Sequence, residues 1–214
     1  MGVLYKKISK QLSYKENTVL SYEIVYPEIT GYGNEIGKLN EKIREEALLN
    51  AKKTEERYFP KAALAFDATD EGEDFFSPFI IKDATMVTEE NENIISLFSV
   101  LNENTGGGSI YSGRSVTYDV NTGKTLTLSN FIKGSDLKAR VTETVKSSIM
   151  EEIKNGEKGY LFDWERRVTE LFKPKNFYIS DNVPVIYYGQ DDLMLHRYGI
   201  KEFKINLNLN STIF

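Results

Sequence analysis

One histidine, His196, stands in 214 residues, and there is no cysteine. A lone histidine cannot build a multi-histidine metal site, and with no thiol in the chain it has no cysteine to activate. A Ser–His–Asp arrangement around it is formally open. Yet no serine sits in the Gly-x-Ser-x-Gly elbow that exposes a nucleophile. The simpler reading of His196 is a surface or turn residue beside Arg197. The glycine run Gly106, Gly107 and Gly108 could cradle a phosphate through backbone N–H groups. It lacks P-loop spacing, no lysine follows in place, and it lies between strand-like segments instead of opening a helix. A turn with unusual backbone angles accounts for it.

Carboxylates are the other chemical resource. Asp67, Asp70, Glu71, Glu73 and Asp74 could together ligate Ca²⁺, but their spacing does not match an EF-hand loop. They read as a solvated acidic loop, as do Glu89, Glu90 and Glu92. With 32 Asp and Glu, a pair suited to glycoside hydrolysis can always be drawn, and nothing in the sequence selects one. No catalytic residue, cofactor or metal is implied. Tyr22, Tyr26, Tyr187 and Tyr188 fall on strand-like segments. Tyrosine suits binding surfaces because it joins area to a polar tip, and it equally suits half-buried sheet faces.

The net charge is -5 and the pI about 5.2. That argues against nucleic acid as a partner, since phosphate contacts need clustered Lys and Arg. No run of about 18 apolar residues is present, so no membrane-spanning helix is expected. Met1-Gly2-Val3-Leu4-Tyr5-Lys6-Lys7 has neither the apolar core nor the cleavage site of a secretory signal. Either the protein is cytoplasmic or a targeting segment precedes this chain. The length suits one medium domain or two small ones sharing a core.

The elements that would position these groups can be read from periodicity. Residues 3–14 and 17–27 read as two strands joined by a turn at Lys15-Glu16-Asn17, the second ended by Pro27. Gly31 and Gly33 mark a loop. Ile36, Leu39, Ile43 and Ala47 predict a helix over about 34–53, with Pro60 breaking what remains. Residues 61–74 then read as an exposed loop or boundary. Residues 76–89 and 93–103 form another strand pair, 104–109 a glycine-rich break, 110–121 a strand, and 121–124 a tight turn. Residues 125–128 read as short and extended.

Leu137, Val141, Val145, Ile149 and Ile153 predict a long helix capped by Ser135 and closed by Gly156. A short third helix spans about 163–172. Strands near 176–180, 183–188 and 201–209 finish the chain. Paired strands with short turns predict the α+β class: antiparallel sheets, one long helix in each half and a short third helix. Residues 1–90 read as an N-terminal subdomain. Residues 91–214 read as a C-terminal one carrying the glycine-rich loop and the long helix, and the two are expected to pack as one unit.

Three sets of segments carry a resemblance. The first is Val25-Tyr26-Pro27-Glu28-Ile29-Thr30-Gly31 with Ile36 and Leu39-Asn40. The second is Thr105-Gly106-Gly107, Ser115 to Tyr118, and Thr122 to Phe131. The third is Asn176 to Ile179, Val185 to Tyr188, and Gly199 to Ile205. In order and spacing they resemble a tandem extracytoplasmic domain of bacteria. That tandem forms the ectodomain of lysozyme-sensing anti-sigma factors of the RsiV type and precedes the catalytic domain of a peptidoglycan deacetylase. Where the family continues its glycine motif with Ala-His-Gly, this chain has Gly108-Ser109-Ile110. Where the family has a proline-containing turn, this chain has Leu195-His196-Arg197-Tyr198.

The resemblance implies a non-enzymatic binding or sensing domain outside the cytoplasm, anchored or exported, with a protein (lysozyme-like) or peptidoglycan-type ligand. The alternative is a glycan or cell-wall hydrolase using a carboxylate pair in a cleft. The family's distinctive loops make Gly106, Gly107, Gly108 and Ser109, together with Asp191, Asp192, His196, Arg197 and Tyr198, the candidate binding residues.

Overall fold

The computed structural model describes residues 2–31, 34–69 and 76–206. β1 (Gly2–Tyr14) and β2 (Asn17–Thr30) form the expected antiparallel hairpin, with Ile8 opposite Ile24. Lys15 and Glu16 turn it, both at positive φ, the backbone that a two-residue hairpin turn requires. β2 does not stop at Pro27. β3 pairs only with Leu20–Val25, so at Pro27 β2 has a partner strand on one side alone, the position where strands tolerate proline.

Helix α1 (Asn34–Asp67) runs 34 residues and carries Pro60 inside it. The expected break and the loop over 61–74 are therefore corrected as far as Asp67; Asp70, Glu71, Glu73 and Asp74 lie outside the described residues. The reason is the length of the buried stripe. Ile36, Leu39, Ile43, Ala47, Ala51, Thr54, Tyr58 and Ala62 step by three and four and are all buried. Burial on both sides of Pro60 outweighs one lost helical hydrogen bond.

β3 (Phe79–Glu90) pairs with β2 in parallel, Leu20 opposite Phe79. This corrects the expectation of antiparallel pairing throughout. A strand that returns through a long helix enters the sheet in the same direction. β4 (Ile94–Asn104), β5 (Ser109–Asp119) and the two-residue β6 (Thr125–Leu126) complete a six-stranded sheet of order β1-β2-β3-β4-β5-β6.

After β6 comes α2 (Leu128–Phe131), where extended chain was expected at Leu128. The Thr127 N–H donates to Asn130 Oδ1 at 2.7 Å, which starts the turn. α3 (Leu137–Lys154) is the expected long helix. Its N-cap is Asp136, in the left-handed region at φ 59°, and not Ser135. Gly156 closes it at φ 100°. α4 (Trp164–Glu170) is the short helix. β7 (Phe177–Ser180), β8 (Val183–Tyr188) and β9 (Lys201–Lys204) form a separate antiparallel sheet of order β7-β8-β9. Leu207 and Leu209, expected to extend β9, lie outside the described residues. The α+β class holds.

By contacts the chain divides into two units: Gly2–Met86 with Val100–Ile110, and Val87–Ser99 with the described part of Tyr111–Phe214. The first has a core of Val19, Leu20, Tyr22 and Ile24 against Ala47, Ala51, Tyr58 and Ala62 of α1. Its charged ties run from β1 and β2 to α1. Lys10 Nζ and Tyr22 Oη donate to Glu55, and Tyr14 Oη and Lys15 Nζ donate to Asp67, at 2.6–2.9 Å. Hydrogen bonds from Lys15 and then Tyr14 hold Asp67 below the usual carboxylate range, and Lys10 and then Tyr22 do the same for Glu55.

A carboxylate whose folded pKa is depressed adds stability that is present above its unfolded pKa and lost as pH falls through the folded one. This unit should therefore weaken as pH drops below about 4. The urea midpoint at pH 7 minus that at pH 3 should shrink in Asp67→Asn/Glu55→Gln. An unchanged difference would refute the assignment.

The second unit packs Phe131, Ile132, Val141, Val145, Ile149 and Val168 on Phe177, Ile179, Ile186 and Tyr188.

Candidate functional site

The sequence candidates fall in both units. Gly106, Gly107, Gly108 and Ser109 are in the first, at the connection of β4 to β5. Gly106 and Gly108 have φ of 98° and 114°, and the Gly106 N–H donates to Asn104 Oδ1. A Cβ at any of the three glycines would meet nothing within 4 Å, so backbone angle and not crowding is what calls for glycine at Gly106 and Gly108.

Asp191, Asp192, His196, Arg197 and Tyr198 are in the second unit, and the fold does gather them. Arg167 donates through Nε to Asp163 and through Nη1 to the carbonyls of Asp191 and Asp192. His196 opens a 3₁₀ turn (His196–Tyr198), and its Nδ1 lies 2.9 Å from Asp191 Oδ2. Both side chains are exposed. The Tyr198 ring lies where a Cβ on Gly159 would be, 2.3 Å from that position. The Arg197 guanidinium is 5.0 Å from the Tyr198 ring centre. An exposed His–Asp pair is a polar surface contact.

A groove lies beside that loop, in the same unit. Its volume is about 560 Å³, and it is lined by Tyr111–Ser115 of β5, by Lys173, Lys175 and Asn176, by Tyr187, and by Gly189, Gln190 and Asp192. Of the nine sequence candidates only Asp192 lines it.

Three cations and one carboxylate face this space, in a chain of net charge -5. Lys173 and Lys175 are exposed and have no ion-pair partner among the described residues. Asp192 Oδ2 accepts the Gly189 N–H at 2.6 Å. The Gln190 amide is used at both ends: Oε1 accepts the Tyr111 N–H at 2.7 Å, and Nε2 donates to the His196 carbonyl at 2.8 Å.

The groove is lined on one side by an aromatic ring packed on two others. Tyr187 is buried, its ring 4.9 Å from Phe98 and 6.5 Å from Tyr178. Burial pushes its phenol up, while Ser115 and the Arg114 charge pull the other way. A Cβ on Gly113 would lie 2.9 Å from the Tyr187 ring and 3.1 Å from Phe98. Only glycine lets β5 pass this close. Ser115 Oγ donates to the Phe177 carbonyl and is 3.3 Å from Tyr187 Oη.

Sequence reasoning missed Gly113, Arg114, Lys173 and Lys175. The available signal was Gly113 itself, since an isolated glycine inside a strand marks a bulge or a close approach. The lysines carry no local pattern. Among the described residues no group of three His, Asp or Glu could hold a metal ion, and no helix is long and apolar enough to cross a membrane.

The chain shares its fold with two crystal structures of DUF3298-family proteins. One is from Bacteroides fragilis, at TM-score 0.63 and 17% identity, covering 98% of this chain and 94% of the other. The second is from Pseudomonas aeruginosa PAO1, at TM-score 0.63 and 15% identity, covering 100% and 95%. No protein-family model matches the sequence, and no curated protein is similar to it. What these likenesses show is the shared α+β fold.

Proposed function

We propose that this chain is a non-enzymatic binding or sensing domain that works outside the cytoplasm. It takes a protein or peptidoglycan-type ligand in the groove between β5 and the Gly189–Asp192 loop. The supporting observation is the groove's charge: Arg114, Lys173 and Lys175 face it in an acidic protein. Opposite charge steers a ligand to such a site and fixes its register. Tyr111 and Tyr187 add area with polar tips. The extracytoplasmic placement rests on the resemblance of the glycine-motif and closing-strand segments.

The competing reading, a hydrolase with a carboxylate pair, needs two carboxyl groups flanking a bond and one of raised pKa. The groove offers Asp192, already accepting from Gly189, so binding is better supported.

Calorimetric titration with soluble peptidoglycan fragments and with lysozyme tests the proposal. At least one should bind, and Lys173→Glu/Lys175→Glu should change its affinity at least tenfold. Both residues are exposed, so the fold should survive. Binding that is absent for both ligands, or indifferent to the charge reversal, sinks the proposal.

A further inference from the structure

β6 pairs only with Thr117 and Tyr118 of β5. No strand of the sheet lies on that side of β5 from Tyr111 to Ser115. Backbone groups alternate sides along a strand. Asp119 uses its N–H and carbonyl on the β6 side, bonding Lys124 and Gly123. By alternation Thr117, Ser115, Gly113 and Tyr111 present theirs to the same side. The Tyr111 N–H confirms the phase, because it meets the Gln190 side-chain amide there. The groove is lined by five consecutive residues of β5, not by every second one, as expected where space runs along a strand's edge.

We infer that the groove takes an extended acidic peptide segment of a partner, which adds to β5 as a neighbouring strand along Tyr111–Ser115. The inference rests on the groove reading above and deepens it. Gly113 and Ser115 supply the ladder groups. Gln190 marks one end of the ladder, its carbonyl oxygen already standing where a strand's carbonyl would meet Tyr111. Lys173, Lys175 and Arg114 select carboxylate side chains.

The other exposed edge is guarded differently. On β1, Lys6, Lys7 and Lys10 pair with Glu28, Glu23 and Glu55, and the strand breaks register between Leu12 and Ser13. Lysines and irregular register are the usual protections of an edge. β5 has an open slot between Tyr111 and Ser115 in their place.

The test is fluorescence anisotropy with end-blocked, labelled (Val-Glu)₄, beside (Val-Lys)₄, (Val-Glu)₄ with every amide N-methylated, and hyaluronate as a polyanion without amide ladders. The acidic peptide should bind, its lysine counterpart should not, and N-methylation should cost at least tenfold. Amide exchange at Gly113 and Ser115 should slow in the complex, while exchange in β1 stays unchanged.

Equal binding of the N-methylated peptide overturns strand addition, and so does unchanged exchange at Gly113 and Ser115. Hyaluronate or cell-wall fragments binding where the peptide does not overturns it too, and leaves the groove reading standing. If none of these ligands binds, both fall.

Discussion

Phe131→Ala should lower the unfolding free energy of the second unit by about 3–5 kcal/mol, the range for a buried aromatic cut to alanine. Phe131 is 0% exposed. Its ring packs 5.8 Å from Phe177, tilted 56°. It sits at the end of α2, whose start is held by the Thr127 N–H on Asn130 Oδ1. The short helix is therefore a device for driving one ring into the core beside Val141, Val145 and Ile149. Removing the ring leaves a void that rigid α3 and β7 cannot fill by collapsing.

Phe162→Ala is the matched control. Phe162 is fully exposed, so its loss should fall within about 0.5 kcal/mol of zero. Urea melts of the two variants compare them directly. A Phe131→Ala loss below 1 kcal/mol would mean the ring is not a core element.

Ser96→Ala should cost roughly 2–4 kcal/mol, from about 1–3 kcal/mol for each buried polar group left without a partner. Ser96 Oγ is 2.9 Å from Thr117 Oγ1 and accepts the Ile179 N–H at 2.8 Å. Ser96 and Thr117 are both 0% exposed. One hydroxyl thus joins β4 and β5 to β7, and water cannot reach the site to replace it. Adding Thr117→Val to Ser96→Ala should recover part of the loss, because it removes one orphaned hydroxyl. The Ile179 N–H would stay unsatisfied, so recovery should be incomplete, and Ile179 amide exchange should quicken in both variants. Full recovery would show that the Ile179 bond contributes little.

Much of the fold is legible in local pattern. The stripe Leu137, Val141, Val145, Ile149 repeats every four residues, and Val141, Val145 and Ile149 are all 0% exposed. The alternation through Leu20, Tyr22 and Ile24 puts those three in the core of the first unit. Prolines were the weakest guides. Pro60 sits inside α1 and Pro27 inside β2, because the cost of a proline is local while the burial that offsets it is spread over a whole element.

Of the candidate residues, the loop at Asp191–Tyr198 was picked out from motif position; in the structure Arg167 holds the Asp191 and Asp192 carbonyls and His196 meets Asp191. The groove next to it was not picked out, since its lining comes from segments as far apart as Tyr111 and Gln190.

The sequence by itself determined the α+β class, the faces that helices and strands bury, the lack of cysteine chemistry and the single histidine. Those properties depend on residue type and on periods of two and 3.6, which neighbours in the chain express directly. Only the tertiary structure decided that β3 joins β2 in parallel, that β6 stops after two residues and leaves an edge of β5 open, and that Arg114, Lys173 and Lys175 face one space. Those are pairings between distant segments, set by how the two sheets and α1 bury their apolar faces, and no short window of sequence carries them.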